Sequence, residues 1–146
     1  MKLNFFLIIF LFVAKISLAE EFKFEKVISL DKPWGSTFIN DDQLLITEKG
    51  GKIKLINIKK KDFKIIDHNL NFLEYGQGGL LDIIYHNKIV WISYTENRGN
   101  WKTSTSIAKG FFNEEKINFE NIFQANPPID SGYHFGSRLA IKDNYL

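Results

Sequence analysis

Phe38-Ile39-Asn40-Asp41-Asp42-Gln43-Leu44-Leu45 reads as two apolar pairs around a polar turn. The layout returns at Ile83-Ile84-Tyr85-His86-Asn87-Lys88-Ile89-Val90 and again at Leu139-Ala140-Ile141-Lys142-Asp143-Asn144-Tyr145-Leu146. The copies end at Leu45, Val90 and Leu146, at spacings of 45 and 56 residues. Working outward from the first copy, an apolar stretch at Val27–Leu30 precedes strands at Trp34–Ile39, Leu44–Thr47, Lys52–Ile58 and Phe63–Asp67, with Gly50-Gly51 as one turn. In Lys52–Ile58, alternation puts Ile53, Leu55 and Asn57 on one face, as in a half-buried strand. Together these make a four-stranded antiparallel meander. Around the second copy, strands are expected at Leu80–Tyr85, Lys88–Tyr94, Thr105–Phe112 and Ile117–Phe123. A third round begins at Leu139–Ile141.

Four strands every ~40–50 residues is the period of a β-propeller blade. An all-β sandwich built from similar short apolar pairs is the alternative. Propellers close a ring so that no blade keeps a bare face. Two blades and the start of a third, with Tyr145-Leu146 in mid-strand, lead to the expectation of an N-terminal portion of a longer protein.

The N-terminus has its own pattern. Met1-Lys2 is a basic start, Phe5 to Ala14 is apolar, and Ser17-Leu18-Ala19 offers small residues for cleavage. This is the layout of a secretory signal peptide spanning residues 1–19. The apolar run is shorter than the ~20 residues a membrane-spanning helix needs. The precursor carries 19 Lys and Arg against 17 Asp and Glu. Loss of Lys2 and Lys15 makes residues 20–146 neutral, so no basic excess points to nucleic acid. Lys59-Lys60-Lys61 reads as a solvated turn. With 45% hydrophobic and 25% charged residues the chain is globular. The absence of Cys excludes disulfides, thiolate zinc sites and a cysteine nucleophile.

Two segments carry candidate chemistry. Gly76-Gln77-Gly78-Gly79-Leu80-Leu81-Asp82 concentrates glycine where positive φ or close backbone approach is needed. It fits a sharp loop or a ligand contact, and it lacks the ending of a P-loop. Ser131-Gly132-Tyr133-His134-Phe135-Gly136-Ser137-Arg138-Leu139 places His134 and Arg138 at the entry to an innermost strand, where propeller loops open on the channel. A neutral His134 imidazole can accept a proton near pH 7. A packed or surface histidine is the other reading. Arg138 fits a carboxylate clamp or a structural ion pair. His68 and His86 read as turn or surface residues. No His-x-x-x-His, carboxylate cluster with metal-ligand spacing or Gly-x-Ser-x-Gly is present.

Four strings, taken in order, resemble the soluble quinoprotein sugar dehydrogenases, the PQQ-dependent glucose and aldose dehydrogenases. They are Lys32-Pro33-Trp34-Gly35-Ser36-Thr37-Phe38, Leu44-Leu45-Ile46-Thr47-Glu48-Lys49-Gly50-Gly51-Lys52-Ile53, Gly76-Gln77-Gly78-Gly79-Leu80-Leu81-Asp82-Ile83 and Ser131 to Leu139. The resemblance runs from about Val27 to Leu146. It implies a secreted, periplasmic, six-bladed β-propeller, of which residues 20–146 form the first two blades and the start of the third. It also implies PQQ and Ca2+ as cofactors and oxidation of an aldose C1 hydroxyl to a lactone, with electrons passed on to an unidentified acceptor. His134 matches the family's general base, which also lies at the cofactor, and Gln77 matches a glutamine near the substrate. Arg138 carries over as structural. No metal ligand carries over, because the family's calcium ligands and most of its PQQ contacts lie further along the chain. Tyr133 stands where the best-known glucose enzyme has an acidic residue, so glucose is not implied as the sugar. A non-catalytic secreted propeller that binds a sugar or a protein is the rival expectation.

Overall fold

The computed structural model describes residues 22–143 and 145–146. The expected signal peptide lies outside the described residues, as does Asn144 of the last turn. Polar turns and glycines set the hairpins. Strand β1 (Pro33–Asn40) turns into β2 (Gln43–Glu48), and the Asn40 side-chain oxygen accepts the Asp42 N–H at 3.0 Å. Gly51, at φ +98°, turns β2 into β3 (Lys52–Asn57), followed by β4 (Asp62–His68). In the second unit β5 (Leu80–His86) meets β6 (Ile89–Asn97) through Asn87 and Lys88, both left-handed as a two-residue hairpin loop requires. Strand β7 (Thr103–Phe111), the short β8 (Lys116–Ile117) and β9 (Glu120–Gln124) follow.

Two sheets result, with orders β1-β2-β3-β4-β8 and β5-β6-β7-β9. All pairings are antiparallel except β4–β8, where Asp67 and His68 pair in parallel with Lys116 and Ile117. The sheets bury Leu45, Ile53, Leu55 and Ile66 of the first against Leu80, Ile83, Val90, Ile92 and Tyr94 of the second. Each such side chain contributes roughly 1.5–3 kcal/mol. The first strands of the two sheets, β1 and β5, touch backbone to backbone. A Cβ on Gly35 would lie 2.7 Å from the Asp82 Cα and 2.8 Å from the Leu81 carbonyl oxygen. The Thr47 hydroxyl stitches this seam, accepting the Gly35 N–H at 2.9 Å and donating to the Leu81 carbonyl. Among the described residues no helix is long and apolar enough to cross a membrane.

Both meanders form, with five differences from expectation. First, the hairpins differ in register: Leu44 faces Phe38, whereas its counterpart Ile89 faces His86, because the second two-residue loop falls one position later in the repeat and the first hairpin has a register shift between Phe38 and Asn40. Second, the strand expected at Ile117–Phe123 is split. Asn69 takes both backbone groups of Phe119, donating to its carbonyl at 3.0 Å and accepting its N–H at 2.7 Å, which ends β8 and frees β9 to pair elsewhere. Third, β3 is buried on both faces. Lys54 and Ile56 are covered as well as Ile53 and Leu55, and the Lys54 ammonium pairs with Glu48 at 2.7 Å. Fourth, Leu139–Ile141 forms no strand, and only an isolated Lys142–Tyr145 bridge follows. Fifth, His68 is half-buried and structural. Its Nδ1 accepts the Leu70 N–H at 3.2 Å, so Nε2 carries the proton donated to the Gly51 carbonyl at 2.8 Å. His86 sits in an exposed turn as expected.

Candidate functional site

The two glycine-bearing segments cross. Gly76, at φ +56°, lies so close to Gly132 that a Cβ on it would meet the Gly132 carbonyl oxygen at 2.3 Å. Only glycine allows both the left-handed turn and this approach. The crossing is pinned on each side. Gln77 donates its N–H to the Gly132 carbonyl at 2.6 Å, and its side-chain Oε1 accepts the His134 N–H at 3.1 Å. The Lys49 ammonium caps the Gly76 carbonyl. Gly78 leaves room for the Thr95 hydroxyl and the Phe135 ring, which a Cβ would meet at 2.4 and 2.9 Å.

A second clamp lies at the far end of both segments. A bulge in β5 between Leu80 and Ile83 frees the Asp82 N–H, which donates to the Ser93 hydroxyl at 3.0 Å. That hydroxyl donates to the Ser137 carbonyl at 2.6 Å. The buried Asp82 carboxylate accepts the Leu139 N–H at 2.8 Å and the Arg138 guanidinium at 3.1 Å. Trp34 of β1 reaches Ser137 Oγ at 3.4 Å. All four strings singled out in the sequence therefore converge on one end of the two sheets.

His134 is exposed and held at φ +63°, a conformation uncommon outside glycine and typical of positions fixed by their surroundings. Its ring lies 6.4 Å from that of Tyr133. A cleft of about 170 Å³ adjoins it, walled by Thr103, Pro127, Ile129, Tyr133 and Phe135. Complete ligand sites are larger, about 300–1,000 Å³, so this cleft alone is too small for one. The structure brings His134 and Gln77 within a hydrogen bond of one another. Arg138 lies apart from them, tied to Asp82, which fits its structural reading.

Three contributors were not assigned roles from sequence: Asp82, Ser93 and Thr47. Asp82 did carry a signal, since a carboxylate inside the apolar Leu80-Leu81-Asp82-Ile83-Ile84 run needs a buried partner. Thr47 at the end of Leu44-Leu45-Ile46 is a weaker signal of the same kind.

The described residues do not by themselves fit the implied cofactors. No group of three or more His, Asp or Glu among them could hold a metal ion. Three cations around these segments are engaged. Arg138 holds Asp82, Lys49 holds Gly76, and Arg98 holds Ser104 at 3.0 Å and Asn126 at 3.3 Å.

The sequence matches the Glucose / Sorbosone dehydrogenase family over residues 30–146. It is 30% identical over 119 residues to the aldose sugar dehydrogenase YliI of Escherichia coli, covering 75% of this chain and 32% of that protein. The fold superposes on a crystal structure of glucose dehydrogenase with a TM-score of 0.72 and 28% identity, over 78% of this chain and 36% of that one. It also superposes on the apo-form of the soluble aldose sugar dehydrogenase of Escherichia coli, with a TM-score of 0.71 and 30% identity, over 77% and 35% of the two chains. The chain thus spans about a third of the length of these relatives, 32% to 36%. On the extent of the match and the convergence of its four strings, this chain belongs to the glucose/sorbosone dehydrogenase family.

Proposed function

We propose that residues 20–146 are the N-terminal part of a periplasmic six-bladed β-propeller, exported by a signal peptide at residues 1–19, that oxidises the C1 hydroxyl of aldose sugars to lactones. The observation that carries this reading is the crossing of the Gly76–Asp82 and Ser131–Leu139 segments, which sets Gln77 against His134. His134 is the general base. Its neutral imidazole takes the proton of the C1 hydroxyl, and proton removal is the step these residues supply. Gln77 braces the main chain of His134 from the substrate side. PQQ and Ca2+ enter the proposal through family membership alone, as requirements of the whole reaction, because the described residues form no site for either.

The test is aldose-dependent dye reduction by the full-length protein with PQQ and Ca2+ added. His134→Ala is expected to lower the rate by about 10²–10⁴-fold. An undiminished rate would remove His134 from the base role. A second reading, a non-catalytic propeller that binds a sugar or a protein, is favoured by the engagement of Lys49, Arg98 and Arg138 in structural bonds. Failure of the full-length protein to bind PQQ in a titration would select it.

A further inference from the structure

We propose that Lys49 is a positioning residue for the reaction: by holding the peptide group between Gly76 and Gln77, its ammonium sets, through Gln77, where the main chain of His134 lies. The inference rests on the aldose reading above and adds to it a residue from the β2–β3 turn.

The Gly76–Gln77 peptide group is gripped at both poles. Its carbonyl accepts a bond from the Lys49 ammonium. Its N–H donates to the Gly132 carbonyl at 2.6 Å. A cation on the carbonyl polarises the peptide group and strengthens its N–H as a donor. The plane of that peptide group is therefore fixed where Gln77 begins, and Gln77 Oε1 accepts the His134 N–H at 3.1 Å. Lys49, one peptide group and the Gln77 side chain form a continuous line from the first sheet to His134.

Lys49 is aimed by its surroundings. It is half-buried, and its main chain is tied twice. Its N–H donates to the Lys32 carbonyl at 3.0 Å, and its carbonyl accepts the Leu80 N–H at 3.2 Å. Gly79 makes room for it: a Cβ there would lie 2.1 Å from the Lys49 carbonyl oxygen and 2.8 Å from its Cγ. The neighbouring carboxylate of Glu74 pairs with Lys32 at 2.9 Å, and the Lys49 charge goes to a main-chain carbonyl instead. Gly76 and Gln77 are both exposed. A charged bond at an exposed turn is weakened by water and salt and adds little to folding. What it supplies is orientation, on which the rate depends steeply once a reacting group is displaced.

Kinetics and hydrogen–deuterium exchange on the full-length protein test this. Lys49→Met removes the charge and the donors. It is expected to lower kcat for aldose-dependent dye reduction, with PQQ and Ca2+ added, by about 10–100-fold at unchanged KM. Its melting temperature should move little, and Lys49→Arg should recover most of the rate. Lys49→Met combined with Gln77→Ala should be no slower than Gln77→Ala alone, because Lys49 acts through Gln77. Exchange over residues 131–139 should be faster in Lys49→Met, a readout that needs no turnover. Lys49→Gln serves for the same comparison if Lys49→Met does not fold. Aldose oxidation with kcat and exchange both indifferent to Lys49→Met overturns the proposal and leaves the aldose reading standing. Rate losses from Lys49→Met and Gln77→Ala that multiply in the double variant overturn it as well. Faster exchange in a protein that oxidises no aldose supports the placement of His134 by Lys49 and defeats the aldose reading.

Discussion

The main-chain N–H of Leu139 donates to the Asp82 carboxylate at 2.8 Å, joining residues 57 apart in sequence. The sequence pattern places Leu139 at the start of a strand. This bond keeps it against β5, so the segment bearing His134 is fastened at its exit as well as at Gln77. Asp82→Ala leaves a buried N–H unsatisfied and is expected to cost about 1–3 kcal/mol. Urea unfolding measures the loss, and amide exchange at Leu139 should accelerate with it. Asp82→Asn, which keeps an acceptor, should lose less. Equal stability of Asp82→Ala and the parent would contradict the clamp.

Gly76 and Gly99 separate backbone conformation from close approach. Both have positive φ, but a Cβ meets the Gly132 carbonyl at 2.3 Å in the first case and nothing within 4 Å in the second. Gly99→Ala should cost about 1–2 kcal/mol, the left-handed penalty alone. Gly76→Ala adds overpacking of about 1–3 kcal/mol and displaces the turn before His134. Thermal denaturation of the two variants gives the comparison, and equal melting temperatures would show that the crossing yields freely.

Glu48 and Lys54 pair at 2.7 Å with side chains 2% and 8% exposed. Burial pushes the Glu48 carboxyl up, but the bonds from Lys54 and the Asp31 N–H, with the charges of Lys54 and Lys52, outweigh it and hold the group below its ordinary 4.5. A folded-state value below the unfolded one means stability that is present above about pH 4.5 and is lost as pH falls through the lower folded value. Glu48→Gln should flatten this acid loss. Lys54→Met alone strands a buried charge and should cost about 3–5 kcal/mol, most of it recovered in the double variant Glu48→Gln/Lys54→Met. Chemical unfolding between pH 3 and pH 7 tests both expectations, and additive losses in the double variant would refute the pairing.

Tyr94 gives the opposite pH signature. Burial, then the charge of Glu96, raise its hydroxyl to about 12 against the opposing Asn121 bond and Arg98 charge. Its stabilising contribution is intact below pH 10, the unfolded value, and falls away between about pH 10 and 12. The loss should be about 2–3 kcal/mol. It should be absent from Tyr94→Phe in alkaline unfolding, with phenolate absorbance reporting the ionisation. A Tyr94 that ionises at pH 10 in the folded protein would refute the buried setting.

The hairpins were legible because their signals are local. Asn40-Asp41-Asp42, Gly50-Gly51 and His86-Asn87 each bend the chain within a few residues. What escaped reading depends on distant partners. Ile117–Phe123 reads like one strand, and Asn69, fifty residues away, breaks it at Phe119. Lys54 reads as solvent-facing until Glu48 on the neighbouring strand is known. His134 and Gln77 were legible as types within motifs, but nothing near either residue shows that Gln77 would grip the main chain of His134. Asp82 was visible as an odd carboxylate, without the Leu139 and Arg138 groups it serves.

The parallel pairing of Lys116–Ile117 with Asp67–His68 makes the two sheets inseparable as heritable modules. Repeat proteins commonly gain and lose whole units because each contacts its neighbour only across an interface. Here the last strand of the first sheet is encoded after nearly all of the second. A duplication or crossover cut between His68 and Leu80 would hand one product a sheet with an open edge and the other an orphaned strip of chain. The first sheet is likewise incomplete in a nascent chain until Ile117 has been made.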